Sequence, residues 1–213
     1  MTWRDSRLQP CYAPSVAQDD ERQFSWQQFM KETQEALIAP ATHFRELRIE
    51  LPLSIPVLKS IIYGILTGVV AWIWAFGGFG PAVFEQEFTA TAAFAQFLVQ
   101  TLFTVIGLWL VALIVWGLAA MARGDHRFST AVHIAGSLLV FAPISMLLRG
   151  TATLHETLPQ LLNIILLLYV TVETFMALTH TVKARPGRAL MGLGLLLLLC
   201  AILVVVLGYG ADQ

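Results

Sequence analysis

Charge is scarce in this chain, and cysteine is scarcer. Only 13% of its 213 residues are Asp, Glu, Lys or Arg, about half the share usual in soluble domains, so a water-facing surface of ordinary composition is excluded. Two cysteines, Cys11 in a polar segment and Cys200 in an apolar one, can build neither a disulfide framework nor a zinc site. Catalytic signatures are missing too. There is no GxSxG elbow, no Cys/His pairing and no pair of Asp residues within an apolar run. His155-Glu156 opens like a zinc-protease motif, but Pro159 stands where the second His belongs. Gly77-Gly78-Phe79-Gly80-Pro81 has turn chemistry without the Lys of a phosphate loop. The expectation is a protein that is not an enzyme, with no metal, no cofactor and no nucleic acid as partner.

Apolar residues are abundant, at 57%. Windows of about 20 apolar residues, enough to cross a hydrocarbon core of roughly 30 Å, fall at Val57 to Phe76, Phe97 to Met121, Ser129 to Leu148, Leu158 to Thr181 and Ala189 to Gly208. Phe88 to Phe94 reads either as a short interfacial helix or as a continuation of the second span. The fold class is therefore all-α: a polytopic membrane protein of five transmembrane helices.

The basic residues then sort by side. Arg4, Arg7, Arg22, Lys31, Arg45, Arg48 and Lys59 precede or open the first span, Arg123 and Arg127 follow the second, and Lys183, Arg185 and Arg188 follow the fourth. Only Arg149 falls on the other side. Lys and Arg near span ends resist translocation, so the crowded side is expected to be cytoplasmic, with the N-terminus in and the C-terminus out. Met1 to Glu50 has no short apolar stretch of signal-peptide type, so the first span is expected to direct insertion.

Ahead of the spans, residues 1–24 have little to bury and read as a disordered cytoplasmic tail. Residues 25–51 read as cytoplasmic amphipathic helices, and 52–213 as the transmembrane domain. Ser25 and Gln28 are spaced as a capping box. Trp26, Phe29, Met30, Thr33 and Leu37 share one face until Pro40 stops the helix. A second helix is expected from Thr42 to about Glu50, with Phe44, Leu47 and Leu51 on its apolar side and His43, Arg45, Glu46 and Arg48 polar. Such a segment either lies on the leaflet or packs on the ends of the bundle. Phe44, Arg45, Leu47 and Arg48, with Arg123, Arg127, Arg185 and Arg188 in the loops, are the candidate contacts to membrane lipids or protein partners. The plainer reading is that these charges only set topology.

One acidic residue, Glu173, sits inside a span, at a cost on the order of 3 kcal/mol at mid-helix. Tyr169, Glu173, Ala177 and His180 recur on one helical face. At 1.5 Å per residue, His133 lies about 7 Å and Ser137 about 13 Å from the near end of the third span, and Glu173 about 13 Å along the fourth. His133, Ser137, Glu173 and His180 are thus a candidate intramembrane polar set. It reads as a proton or cation site, or as a protonated Glu173 hydrogen-bonded to a neighbouring helix. Gly64, Gly68 and Ala71 form a small-residue strip on the first span, serving either a second copy or packing within the chain. Pro143 is expected to kink the third span.

The order of features resembles the Yip1 domain family of five-span membrane proteins. Ala39-Pro40 with Phe44 precede the first span, Phe128 and Ala131 to Phe141-Ala142-Pro143 follow, and Thr179-His180 with Arg188-Ala189 lead into the last span. The resemblance covers about residues 25 to 210 and implies a cytoplasmic N-terminus and a scaffold role in membrane organisation or trafficking. Eukaryotic members are associated with Rab GTPases and carry an Asp-Leu-Tyr-Gly-Pro motif. The nearest run here, Cys11-Tyr12-Ala13-Pro14, reads as chance, and Glu173 and the short tail look like the bacterial branch, which implies the inner membrane.

Overall fold

The computed structural model describes residues 24–76, 90–125, 127–150 and 157–211, and the regular structure within them is helical throughout. Expectations about the tail with Cys11, the Gly77 to Pro81 turn and His155-Glu156 lie outside the described residues.

Two short helices come first, α1 (Trp26–Ile38) and α2 (Pro40–Glu46). Pro40 ends the one and opens the other, since its fixed φ and missing N–H suit a first turn and no later position. The expected capping box does not form. Ser25 caps α1 without a side-chain bond, and the Gln28 amide donates to Glu32 at 2.8 Å, one turn onward. Helix α2 ends at Glu46, short of the expected Glu50, because Leu47 leaves helical geometry with ψ at 118°.

The apolar runs follow as α3 (Ser54–Phe76), α4 (Ala90–Met121), α5 (Phe128–Leu138), α6 (Phe141–Gly150), α7 (Leu158–Met176) with a π-helical turn Ala177–Thr181, and α8 (Pro186–Ala211). Among the described residues four helices are long and apolar enough to cross a membrane: Ser54–Ala75, Ala90–Met121, Phe128–Gly150 and Gln160–Thr181. The fifth expected span coincides with α8, whose described apolar part is Pro186–Ile202. From Ala90 onward, the segment before the second span continues its helix.

Helix α5 is the centre of the bundle. Its side chains from Thr130 to Leu138 are all buried, and it packs on α3, α4, α7 and α1. The third span breaks between α5 and α6, at Leu139 and Val140. Pro143 is the physical cause. It has no N–H for the Leu139 carbonyl four residues back, and the Ala142 N–H bonds that carbonyl instead, at 3.0 Å. Around this core α3 lies along α4, α6 bridges α3 and α7, and α8 rests on α4, α7 and the π turn.

Candidate functional site

The N-terminal helices sit on one end of the bundle, held by polar bonds that the apolar pattern does not show. The Tyr169 hydroxyl donates to the Leu37 carbonyl at 2.7 Å, the Thr181 hydroxyl to the Phe44 carbonyl at 2.6 Å, and the hydroxyls of Thr33 and Tyr63 meet at 2.8 Å. Phe44, a candidate lipid contact, is 1% exposed, and Leu47 is half-buried. Arg45 and Arg48 point outward, as do Trp26, Met30 and Ile38.

Lys59, counted above among the basic residues that set topology, is buried and paired with Glu32 of α1. Burial alone would push the Glu32 carboxyl up, but the Lys59 ammonium and the hydrogen bonds from Lys59 and Gln28 hold it below its ordinary 4.5. His43 is 3% exposed, not on the polar side as expected. Burial, and then the Lys59 charge, hold its imidazole below the usual 6.5, and its Nε2 has no partner among the described residues. A sequence signal for this cluster existed. Glu32 lies three residues from Phe29 and four from Ala36, both buried, so it shares their inward face.

The loop after α4 and the loop after the π turn are joined in space. The Asp125 N–H donates to the Val182 carbonyl at 2.8 Å. Each chain leaves its helix through a basic residue in the left-handed region, Arg123 at φ 55° and Lys183 at φ 55°. At the first, Gly124 N–H bonds Ala119 and Arg123 N–H bonds Ala120, which is a Schellman cap with Arg where Gly is usual. A Cβ on Gly124 would lie 2.7 Å from the Val182 carbonyl, so the next position must be glycine for the loops to touch. Arg123, Arg127, Lys183 and Arg185 are exposed around this junction, and Arg188 is half-exposed in the first turn of α8. Arg127 is partly engaged with Asp125, at 3.7 Å.

Among the described residues no side-chain to side-chain hydrogen bond joins the intramembrane set. His133 Nε2 meets the Leu51 carbonyl at 2.9 Å, Ser137 donates back to the His133 carbonyl at 3.3 Å, and the charged neighbours of His133 are Lys59 and Glu32. His180 lies half-buried in the π turn. Glu173 is fully buried beside the Tyr169 hydroxyl one turn before it, whose proton goes to the Leu37 carbonyl.

Residues 35–207 match the family model of the Yip1 domain. No curated protein and no solved structure matches the chain.

Proposed function

Since the chain belongs to the Yip1 domain family and is an integral multi-pass membrane protein, we propose that it is a non-enzymatic scaffold in membrane organisation. Its working surface is the bundle end that carries the docked helices and the basic loops. That end faces the cytoplasm, by the distribution of Lys and Arg, and α8 completes a fifth span. The surface recruits anionic lipid headgroups and protein partners.

The left-handed pair Arg123 and Lys183 carries this reading. A non-glycine residue there costs roughly 1–2 kcal/mol. A cation at an exposed helix C-terminus returns about 0.3–1 kcal/mol, which reaches at most the low end of that cost. Strain kept at two matching positions points to what the side chains do. Arg123→Gly and Lys183→Gly are therefore expected to leave the full chain as stable or more stable, by up to about 1 kcal/mol each. Retention of anionic lipid, read by native mass spectrometry of the reconstituted protein, is expected to fall about fivefold per residue, since each basic side chain near the surface contributes roughly 1 kcal/mol. Unchanged retention in the double variant would mean that these residues only fix topology.

The lone Glu173 favours a second reading, a small transporter or channel working on protons or cations. It predicts flux into proteoliposomes that Glu173→Gln abolishes. A wild-type chain without flux removes this reading and leaves the scaffold.

A further inference from the structure

An open apolar groove of about 610 Å³ runs between α4, α7 and α8, floored by Leu138 and Leu139 where the third span breaks. Its volume falls within the roughly 300–1,000 Å³ of small-ligand pockets. The walls include Val111 and Leu118 of α4, Leu167 and Val170 of α7, and Leu193 and Leu196 of α8. Polar atoms are few, and the two hydroxyls are already used. Thr171 donates to the Leu167 carbonyl at 2.7 Å and Thr174 to the Val170 carbonyl at 2.8 Å. With both hydroxyl protons spent and only the weakly polar Cys200 thiol beside them, the walls suit an occupant that is apolar along its length.

The groove also has a direction. Leu118 lies five residues before Arg123, and Leu193 five residues after Arg188, roughly 8 Å along each helix. At this level α4 and α8 are tightly packed, since a Cβ on Gly192 would sit 3.3 Å from Leu118 Cδ2. From there the walls run away from the basic loops, from Leu118 to Val111 and from Leu193 to Ala201, roughly 10–12 Å. One end of an apolar slot thus lies roughly 8 Å along the helices from Arg123 and Arg188, and Lys183 belongs to the loop that the Asp125 to Val182 bond ties to that of Arg123.

We infer that the groove holds an acyl chain of an anionic phospholipid whose phosphate is gripped by Arg123, Lys183 and Arg188. Charge complementarity at the mouth and an apolar slot in the adjoining half of the bilayer select this occupant over a partner helix, which would leave the three cations unanswered. The inference rests on the lipid-recruiting reading above and adds the seat of the chain.

The test uses the full chain in vesicles carrying phosphatidylglycerol or phosphatidylcholine with a photoactivatable group midway along one acyl chain. With the anionic probe, adducts are expected on peptides containing Val170 and Leu196, at least fivefold above those on Phe103 and Leu110, which are exposed outside the groove. Leu196→Trp should lower the groove adducts several-fold and Leu110→Trp should not. Should Leu196→Trp fail to fold, Cys200 supplies the block, because its exposed thiol lines the groove and can be alkylated after folding in a Cys11→Ser chain. Neutralising Arg123, Lys183 and Arg188 to Gln should erase the anionic preference. Even scatter of adducts over the outer helices, or crosslinks from Cys200 to a second copy, overturns the inference. Native mass spectrometry separates the two failures. Anionic lipid retained without groove adducts sinks the groove alone, whereas no retention sinks the reading beneath it.

Discussion

Gly68→Ile is expected to prevent the bundle from closing. A Cβ at Gly68 of α3 would lie 2.5 Å from Thr101 Oγ1, 2.8 Å from Phe97 Cδ2 and 2.8 Å from the Phe97 carbonyl oxygen of α4. The hydroxyl and the ring have some freedom. The carbonyl has none, because it belongs to the α4 backbone and accepts the Thr101 hydroxyl at 2.8 Å. Gly64 sits in the same strip, its carbonyl bonded by Thr101 at 3.2 Å and its own Cβ position 2.9 Å from the Thr101 carbonyl. Overpacking costs typically 1–3 kcal/mol when side chains yield, and here backbone must yield, so the cost sits at or above the top of that range. Helices in a bilayer have no hydrophobic drive toward one another and rely on such close approach. The measurement is folded yield and thermal unfolding in detergent, beside Gly107→Ile, whose Cβ would meet nothing within 4 Å. Equal behaviour of the two variants would show that the strip does not pack on α4.

Lys59→Met should cost about 3 kcal/mol, the lower end of the range for removing one partner of a buried ion pair, because the Glu32 side chain keeps 20% exposure. Lys31→Met offers the contrast. Its pair with Glu35, at 3.5 Å, leaves the lysine side chain 71% exposed, and a pair of that kind contributes at most about 0.5 kcal/mol. Adding Glu32→Leu to Lys59→Met should recover most of the loss, since it removes the uncompensated charge. The acid side of the pH profile follows from the same cluster. His43 is held below 6.5, so its neutral form supports docking fully above that pH and progressively less as pH falls through its folded value. Glu32 is held below 4.5, so its contribution is present above 4.5 and is lost as pH falls through its own folded value. Protection factors of the α1 and α2 amides, each taken against the intrinsic exchange rate at the same pH, should therefore fall in two acid stages, while the spans stay protected. A flat profile from pH 7 to 4 would mean that the cluster does not hold the N-terminal helices in place.

Class, helix positions and family were legible in the chain because each depends on properties averaged along a single helix. Twenty apolar residues read as a span whatever they touch, and a period of 3.6 marks a buried face without naming what buries it. The Gly64, Gly68 and Ala71 strip was visible for that reason, while its partner, α4 rather than a second copy, was not. The amphipathic segment left its docking open in the same way. Its apolar face suits a leaflet or a bundle equally, and the bonds from Tyr169 and Thr181 to backbone carbonyls come from residues more than a hundred positions away.

The candidate site divides along the same line. From the sequence alone come the membrane class, the basic residues of the two loops and the single intramembrane carboxylate, all of them matters of composition and local order. Tertiary structure decided that Lys59 is neutralised by Glu32, that the His133 ring meets the Leu51 carbonyl, and that the loops carrying Arg123 and Lys183 at left-handed turns are tied by the bond from Asp125 N–H to the Val182 carbonyl. The physical reason is that depth along a helix follows from counting residues, whereas the direction a side chain faces across the bundle depends on how neighbouring helices rotate and pack, and no single helix carries that information.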